Sequence, residues 1–287
     1  MPRGPIHRLL FAACCIAVSL SARAEGERNV IDDPRLFRAH KPNYILPLST
    51  TNRVNRAVYT AEDADLAARL KAEEVAFQMS LKVQFNADPL FRAGDAVFFG
   101  FTLKSWWQLY SPDISSPFRE TNYQPELFYT APLQSSPFGA DTTLTLGLEH
   151  QSNGQVQAYS RSWNRLYAEL ALHTERAFVA VRPWYRLPED PKPSPDSALG
   201  DDNPDIDDFL GRTQVQLGWH GEHVDVSGTL HGSLSTGKGG LTVMLSYPLF
   251  KRFRGVVQFV DGYGDSLLDY NHKQRRLGLG VLLSDLF

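Results

Sequence analysis

From residue 75 onward, apolar residues recur at every second position in short runs separated by turn-like sequence. The clearest run sets Val75, Phe77, Met79, Leu81, Val83 and Phe85 against Ala76, Gln78, Ser80, Lys82 and Gln84. A period of two is the mark of a strand whose two faces meet different surroundings. Comparable runs cover residues 97–109, 122–129, 142–152, 164–170, 178–187, 209–219, 224–230, 241–249, 256–263 and 277–287, which makes eleven. Bacterial barrels that close on themselves use an even number of strands. The best twelfth is 43–49, where Pro47 predicts an edge or an irregular pairing.

The links between runs fall into two kinds. Residues 221–222 and 174–176 suit tight hairpins, whereas 188–208 is long and rich in Pro and Asp. Short turns at one rim and long loops at the other are how outer-membrane barrels are built. Lys82, Lys104, Arg165, Glu169, Arg182 and Arg186 fall on the faces opposite the apolar ones, as side chains lining a polar lumen would. A two-sheet sandwich would turn the same residues to solvent, so alternation alone does not establish a membrane. Aromatics near the run ends (Trp106, Trp107, Tyr123, Trp163, Tyr167, Trp184, Tyr185, Trp219, Tyr247) fit either an interfacial girdle or a core.

The ends of the chain decide more. Residues 1–24 read as a cleaved secretory signal: Arg3, His7 and Arg8, then an apolar stretch from Leu9 to Leu20, then Ala22-Arg23-Ala24. That stretch is too short to span a bilayer, which takes about 20 residues. Cys14 and Cys15 leave with it, so the mature chain has no cysteine for a disulfide. Cleavage also removes three arginines and no acid, moving the formal charge from −3 to −6, without the basic excess that nucleic acid requires. Nothing later is apolar long enough for a membrane helix, and the mean hydropathy is −0.29. Alternation through Leu277, Leu279, Val281 and Leu283 to a terminal Phe287 resembles the last strand of an outer-membrane barrel. Taken together, these features predict an all-β, 12-stranded antiparallel transmembrane β-barrel, a single domain over 25–287 with an unpatterned N-terminal extension at 25–42.

The chemistry is concentrated at the end of one run. Leu144, Leu146, Leu148, His150 and Ser152 share a face, and residues two apart on a strand are about 6 to 7 Å apart, within reach of an imidazole turned back toward a hydroxyl. The next run puts Asn164 on the face of Leu166, Ala168 and Leu170, so a hairpin between the two would bring Asn164 beside His150. That supplies a nucleophile, a base and an amide to fix the imidazole tautomer on one apolar surface. Gly154 lets the backbone approach a substrate, and its N–H is a candidate oxyanion donor. Each residue alone has a plainer reading: a rim histidine, a strand-end serine, a turn-capping asparagine. Ser105 and Ser162 lack a histidine two residues away, and Glu149 with Glu169 suits a lumen network with Arg165 better than glycosidase chemistry.

The stretches His150-Gln151-Ser152-Asn153-Gly154 and Ser160-Arg161-Ser162-Trp163-Asn164-Arg165-Leu166-Tyr167 closely resemble outer-membrane phospholipase A. Supporting matches run through 104–109, 115–123, 183–185, 201–206 and 284–287, so the resemblance covers most of the mature chain. It implies a homodimer in the bacterial outer membrane that uses Ca2+ to hydrolyse the sn-1 and sn-2 acyl esters of glycerophospholipids. Ser152 then matches the nucleophile, His150 the base and Asn164 the orienting residue. Ser115, the carbonyl of Gln155 and Ser160 match calcium ligands between subunits, and Asp202 a carboxylate at a calcium site within the monomer. From composition alone, the acidic 201–208 loop is the more obvious calcium binder, or else a solvated loop without metal. A barrel without catalysis, porin or structural, is the alternative, although 12 strands packed with charged side chains leave little channel.

Overall fold

The computed structural model describes residues 37–60, 63–194, 197, 199–250 and 253–284. The signal segment, residues 25–36 and Phe287 lie outside the described residues. Twelve strands form the wall: β1 (Asn43–Thr51), β2 (Glu73–Gln84), β3 (Ala96–Trp107), β4 (Phe118–Leu133), β5 (Asp141–Ser152), β6 (Ser162–His173), β7 (Ala177–Arg186), β8 (Thr213–His220), β9 (Asp225–Ser233), β10 (Lys238–Phe250), β11 (Phe253–Gly262) and β12 (Gln274–Ser284). Each pairs antiparallel with its neighbours in sequence, and β12 pairs with β1, so the sheet closes without an edge. Closure satisfies the backbone hydrogen bonds that lipid cannot. A two-residue strand, Arg38–Ala39, adds to β2 beside Lys82 and Leu81.

Pro47 sits within a strand that has a neighbour on both sides and so is not at an edge, although Pro47 itself pairs with neither. Its missing N–H coincides with register shifts on both sides, between Leu46 and Ser49 against β2 and between Leu279 and Val281 against β12. The expected run from Phe209 also divides differently. Phe209 belongs to a short helix, Ile206–Leu210, that packs into the core, and β8 begins only at Thr213.

The connections 52–72, 108–117, 153–161, 187–212 and 263–273 all leave from one rim, and the short turns 174–176 and 221–224 from the other. Outside, the wall is apolar: Met79 is 56% exposed, Leu127 48%, Leu146 48% and Leu230 53%. Inside, Arg119 bonds Glu74 at 2.6 Å and Asp269 at 2.8 Å, and Arg276 bonds Glu74 at 2.9 Å and Asp265 at 2.8 Å. Arg165 pairs with Glu149, and Arg182 with Glu169 at 2.6 Å, which is the expected lumen network. A cavity of about 240 Å³ remains among these side chains, reached by Lys104, Arg165 and Asp265. The aromatics divide between the two faces. Tyr123, Tyr185, Trp219 and Tyr247 lie outside, while Trp106, Trp163, Tyr167 and Trp184 are buried within the barrel.

Candidate active site

His150 and Asn164 face each other directly across the β5–β6 ladder, and His150 Nδ1 lies 2.9 Å from Asn164 Oδ1. Ser152 follows on the same face of β5, opposite Ser162 on one side and Tyr123 on the other. Outward-facing Leu146 and Leu166 continue this surface, so the three residues sit half-buried on the apolar outer wall near the long-loop rim. Among the described residues no hydrogen bond joins the Ser152 hydroxyl to the imidazole. Such contacts are commonly long before substrate arrives.

The loop after Ser152 is shaped by Asn153, only 2% exposed. Its amide nitrogen donates to the Tyr159 carbonyl at 2.7 Å, its side-chain oxygen accepts from the Arg161 N–H at 2.9 Å, and its own N–H donates to the Arg161 carbonyl at 3.0 Å. Gly154 then takes φ +63°, where a side chain is strained, and a β-carbon there would lie 3.3 Å from the Tyr123 ring. The backbone that carries the Gly154 N–H is therefore held in a defined turn directly after Ser152 and Asn153. The rival serines are otherwise occupied: Ser105 bonds Thr121 at 2.9 Å in the interior, and Ser162 donates to Asp202 at 3.4 Å.

Asn164 has a second partner. Its Nδ2 donates to Glu189 Oε1 at 3.1 Å. Burial holds the Glu189 acid above its ordinary range; the Asn164 hydrogen bond opposes this, Asp201 adds to it, Arg186 opposes it and Asp202 adds to it.

Ser115 is exposed at the end of a one-turn 3₁₀ helix, Pro112–Ile114, in the left-handed conformation with φ 62°. Ser160 lies on a different loop, as does the Gln155 carbonyl, and the Ser160 hydroxyl donates to Asp202 Oδ2 at 2.7 Å. The other oxygen of Asp202 meets the Lys192 ammonium at 2.5 Å. Among the described residues no three His, Cys, Asp or Glu side chains converge as a metal cluster. Three other acids of this loop are likewise paired: Asp201 with Arg186 at 2.6 Å, Asp205 with the Tyr270 hydroxyl at 2.5 Å, Asp207 with Arg212 at 3.2 Å. Hard oxygens suited to calcium are thus present at Ser115, Gln155 and Ser160, but one subunit supplies them from separate loops, and Asp202 already holds a cationic side chain.

Sequence reasoning passed over the roles of Asn153, Glu189 and Lys192. Asn153 stood inside the motif, but its bonding depends on how residues 153–161 fold. Nothing in the Pro- and Asp-rich stretch singled out Glu189 or Lys192, because their partners lie 25 residues away or on the far side of their own loop.

Residues 20–283 match the family model for phospholipase A1. Phospholipase A1 of Klebsiella pneumoniae is 37% identical over 262 residues, covering 89% of this chain and 85% of that protein. Phospholipase A1 of Escherichia coli K12 is 37% identical over 261 residues, covering 89% and 84%. Among solved structures, an active-site mutant of E. coli outer membrane phospholipase A superposes with TM-score 0.79 at 35% identity, covering 89% of this chain and 95% of that one. The Salmonella typhi outer membrane phospholipase, a dimer with bound calcium, gives 0.77 at 35% identity, covering 91% and 96%.

Proposed function

The chain belongs to the phospholipase A1 family, a multi-pass β-barrel phospholipase of the bacterial outer membrane, and from that premise we propose that Ser152, His150 and Asn164 carry its chemistry. The observation that carries the proposal is the direct His150–Asn164 pairing, 2.9 Å apart, on the same outer face as Ser152. Asn164 Oδ1 accepts from His150 Nδ1–H, which leaves Nε2 as the base. Nε2 takes the Ser152 proton as Oγ attacks the acyl carbonyl, and returns it to the leaving glycerol oxygen. Water then hydrolyses the acyl-serine in the same sequence, with the Gly154 N–H donating to the oxyanion each time. The acyl chain stays against the outer wall, where Leu146 and Leu166 meet lipid, so the substrate need not enter water. Both sn-1 and sn-2 esters, and those of lysophospholipids, fit an open wall that does not enclose the glycerol.

The active form we propose is a homodimer that binds Ca2+ between subunits. The oxygens of Ser115, Gln155 and Ser160 carry no formal charge, so two copies side by side are needed to gather enough of them, with water, around one ion. When bound, calcium would polarise the ester carbonyl and steady its developing charge. Asp202 holds the Ser160 hydroxyl in place at 2.7 Å and joins a metal only where Lys192 withdraws. A porin reading finds little support in a lumen crossed by the Arg119 and Arg276 ion pairs. Labelling by a sulfonyl fluoride in detergent tests the nucleophile: wild type should be modified at Ser152 and Asn164→Ala far more slowly. Failure of folded wild-type protein to react would contradict the assignment.

A further inference from the structure

We infer that Glu189 is a positioning residue for the proposed triad, clamping the Asn164 amide so that a His-Asn-Glu relay does the work of a His-carboxylate pair. The inference rests on the Ser152, His150 and Asn164 reading above. A side-chain amide has two nearly isosteric orientations, and a histidine neighbour alone accepts either, because the ring changes tautomer to suit. A carboxylate only accepts, so Glu189 Oε1, 3.1 Å from Asn164 Nδ2, admits only the orientation with Nδ2 toward it. Asn164 Oδ1 is then forced toward His150 Nδ1 at 2.9 Å, Nδ1 must carry the proton, and Nε2 is left free to act as base. The flipped amide would present Nδ2 to the ring, draw the lone pair to Nδ1 and put N–H where the base is needed.

Glu189 is held for this task from both sides. The Leu187 N–H donates to the Asn164 carbonyl at 2.8 Å, carrying the β6–β7 ladder one step past Arg186 and delivering Glu189 alongside Asn164. On the far side the Asp201 N–H donates to the Asp190 carbonyl at 2.8 Å, and Pro191 bridges Asp201, folding the loop back on itself. Gly200 makes that fold possible: its φ is +104°, and a β-carbon there would come within 2.7 Å of the Lys192 backbone. The charged groups facing Glu189 are Arg186, Asp201 and Asp202, of which Arg186 is bonded to Asp201 and Asp202 to Lys192. The relay also supplies the negative charge that asparagine lacks.

Three readouts test this. In Ser152→Ala protein, where turnover cannot interfere, nitrogen NMR of the neutral His150 ring should find the proton on Nδ1, and Glu189→Ala should let the other tautomer appear. In the enzyme, Glu189→Ala should lower kcat at least tenfold with KM within twofold. Glu189→Gln, which can still accept from Nδ2, should recover part of the loss. Asn164→Asp should gain activity when Glu189→Gln is added, because two adjoining carboxylates repel, whereas a merely structural glutamate predicts a further loss. An unchanged His150 tautomer in Glu189→Ala, or Glu189→Ala activity within twofold of wild type, overturns the relay while the triad stands. Full activity in Ser152→Ala overturns the triad and the relay with it.

Discussion

Removing Lys192 should tighten calcium binding at the rim. Its ammonium lies 2.5 Å from Asp202 Oδ1, while Asp202 Oδ2 holds the hydroxyl of Ser160, a proposed calcium ligand, at 2.7 Å. Both partners are largely shielded, with side-chain exposures of 17% and 8%. Lys192→Met keeps the aliphatic stem and removes the charge, leaving the carboxylate formally negative. For a divalent ion about 6 Å from the lost ammonium, a change of one unit charge is worth about 1.4 kcal/mol in water-like dielectric, or roughly tenfold in affinity. A less polar rim would enlarge the effect, and salt would shrink it. The assay is the free calcium concentration giving half-maximal phospholipid hydrolysis at fixed ionic strength, with calcium-dependent crosslinking as a second readout. Both midpoints should fall about tenfold in Lys192→Met. Midpoints unchanged within twofold would refute the idea that Ser160, coupled to Asp202, lies at the calcium site.

Further predictions concern the turn and the two loops that flank the barrel mouth. Gly154→Ala must either hold φ +63° at a cost of about 1–2 kcal/mol or relax and carry the oxyanion donor away, so hydrolysis at constant fold should drop by about a hundredfold if it relaxes. Denaturant unfolding beside kinetics separates the two, and no change in either would contradict the turn. Burial alone would raise the Asp265 acid, but Lys104, Arg276 and Arg119 outweigh it and pull it down to about 2. Its folded value is thus below the unfolded one near 3.8, so it contributes about 2 kcal/mol above pH 4 that is lost as pH falls toward 2. The stability gap between wild type and Asp265→Asn should close over that window, and a gap that persists at pH 2 would contradict the linkage. For Glu189 the sign is opposite: its raised acid penalises the folded state once ionised, so stability falls as pH rises through its folded value. Glu189→Gln should therefore be no less stable than wild type at pH 8 by thermal unfolding, although less active; a clear loss of stability would mark it as a structural residue.

Much of this was legible in the chain. Period two across 142–152 and 164–170 fixes which residues share a face, so pairing the two runs as a hairpin was enough to bring Asn164 beside His150 without coordinates. The lumen pair Arg165 and Glu149 followed from the same alternation. Pro47 was legible as an irregularity but not as a central strand, because edge or centre depends on whether the sheet closes. Tryptophans are ambiguous to this logic: Trp106 and Trp163 are wholly buried inside the polar lumen, where Lys104 and Arg165 lie over their ring faces at 4.5 and 3.9 Å. Phe209 continued an alternating run in sequence yet turned into a helix that caps the core. Glu189 and Lys192 were illegible for a different reason. Their partners are set by the path of a long loop, and no local period encodes that path.

The central claim is a serine hydrolase on the lipid-facing wall that needs calcium. It is tested most directly by phospholipid hydrolysis from purified, detergent-folded wild type and Ser152→Ala, each with calcium and with chelator. The account predicts fatty acid release from wild type with calcium and from none of the other three. Release that survives Ser152→Ala, or that survives the chelator in wild type, would contradict it.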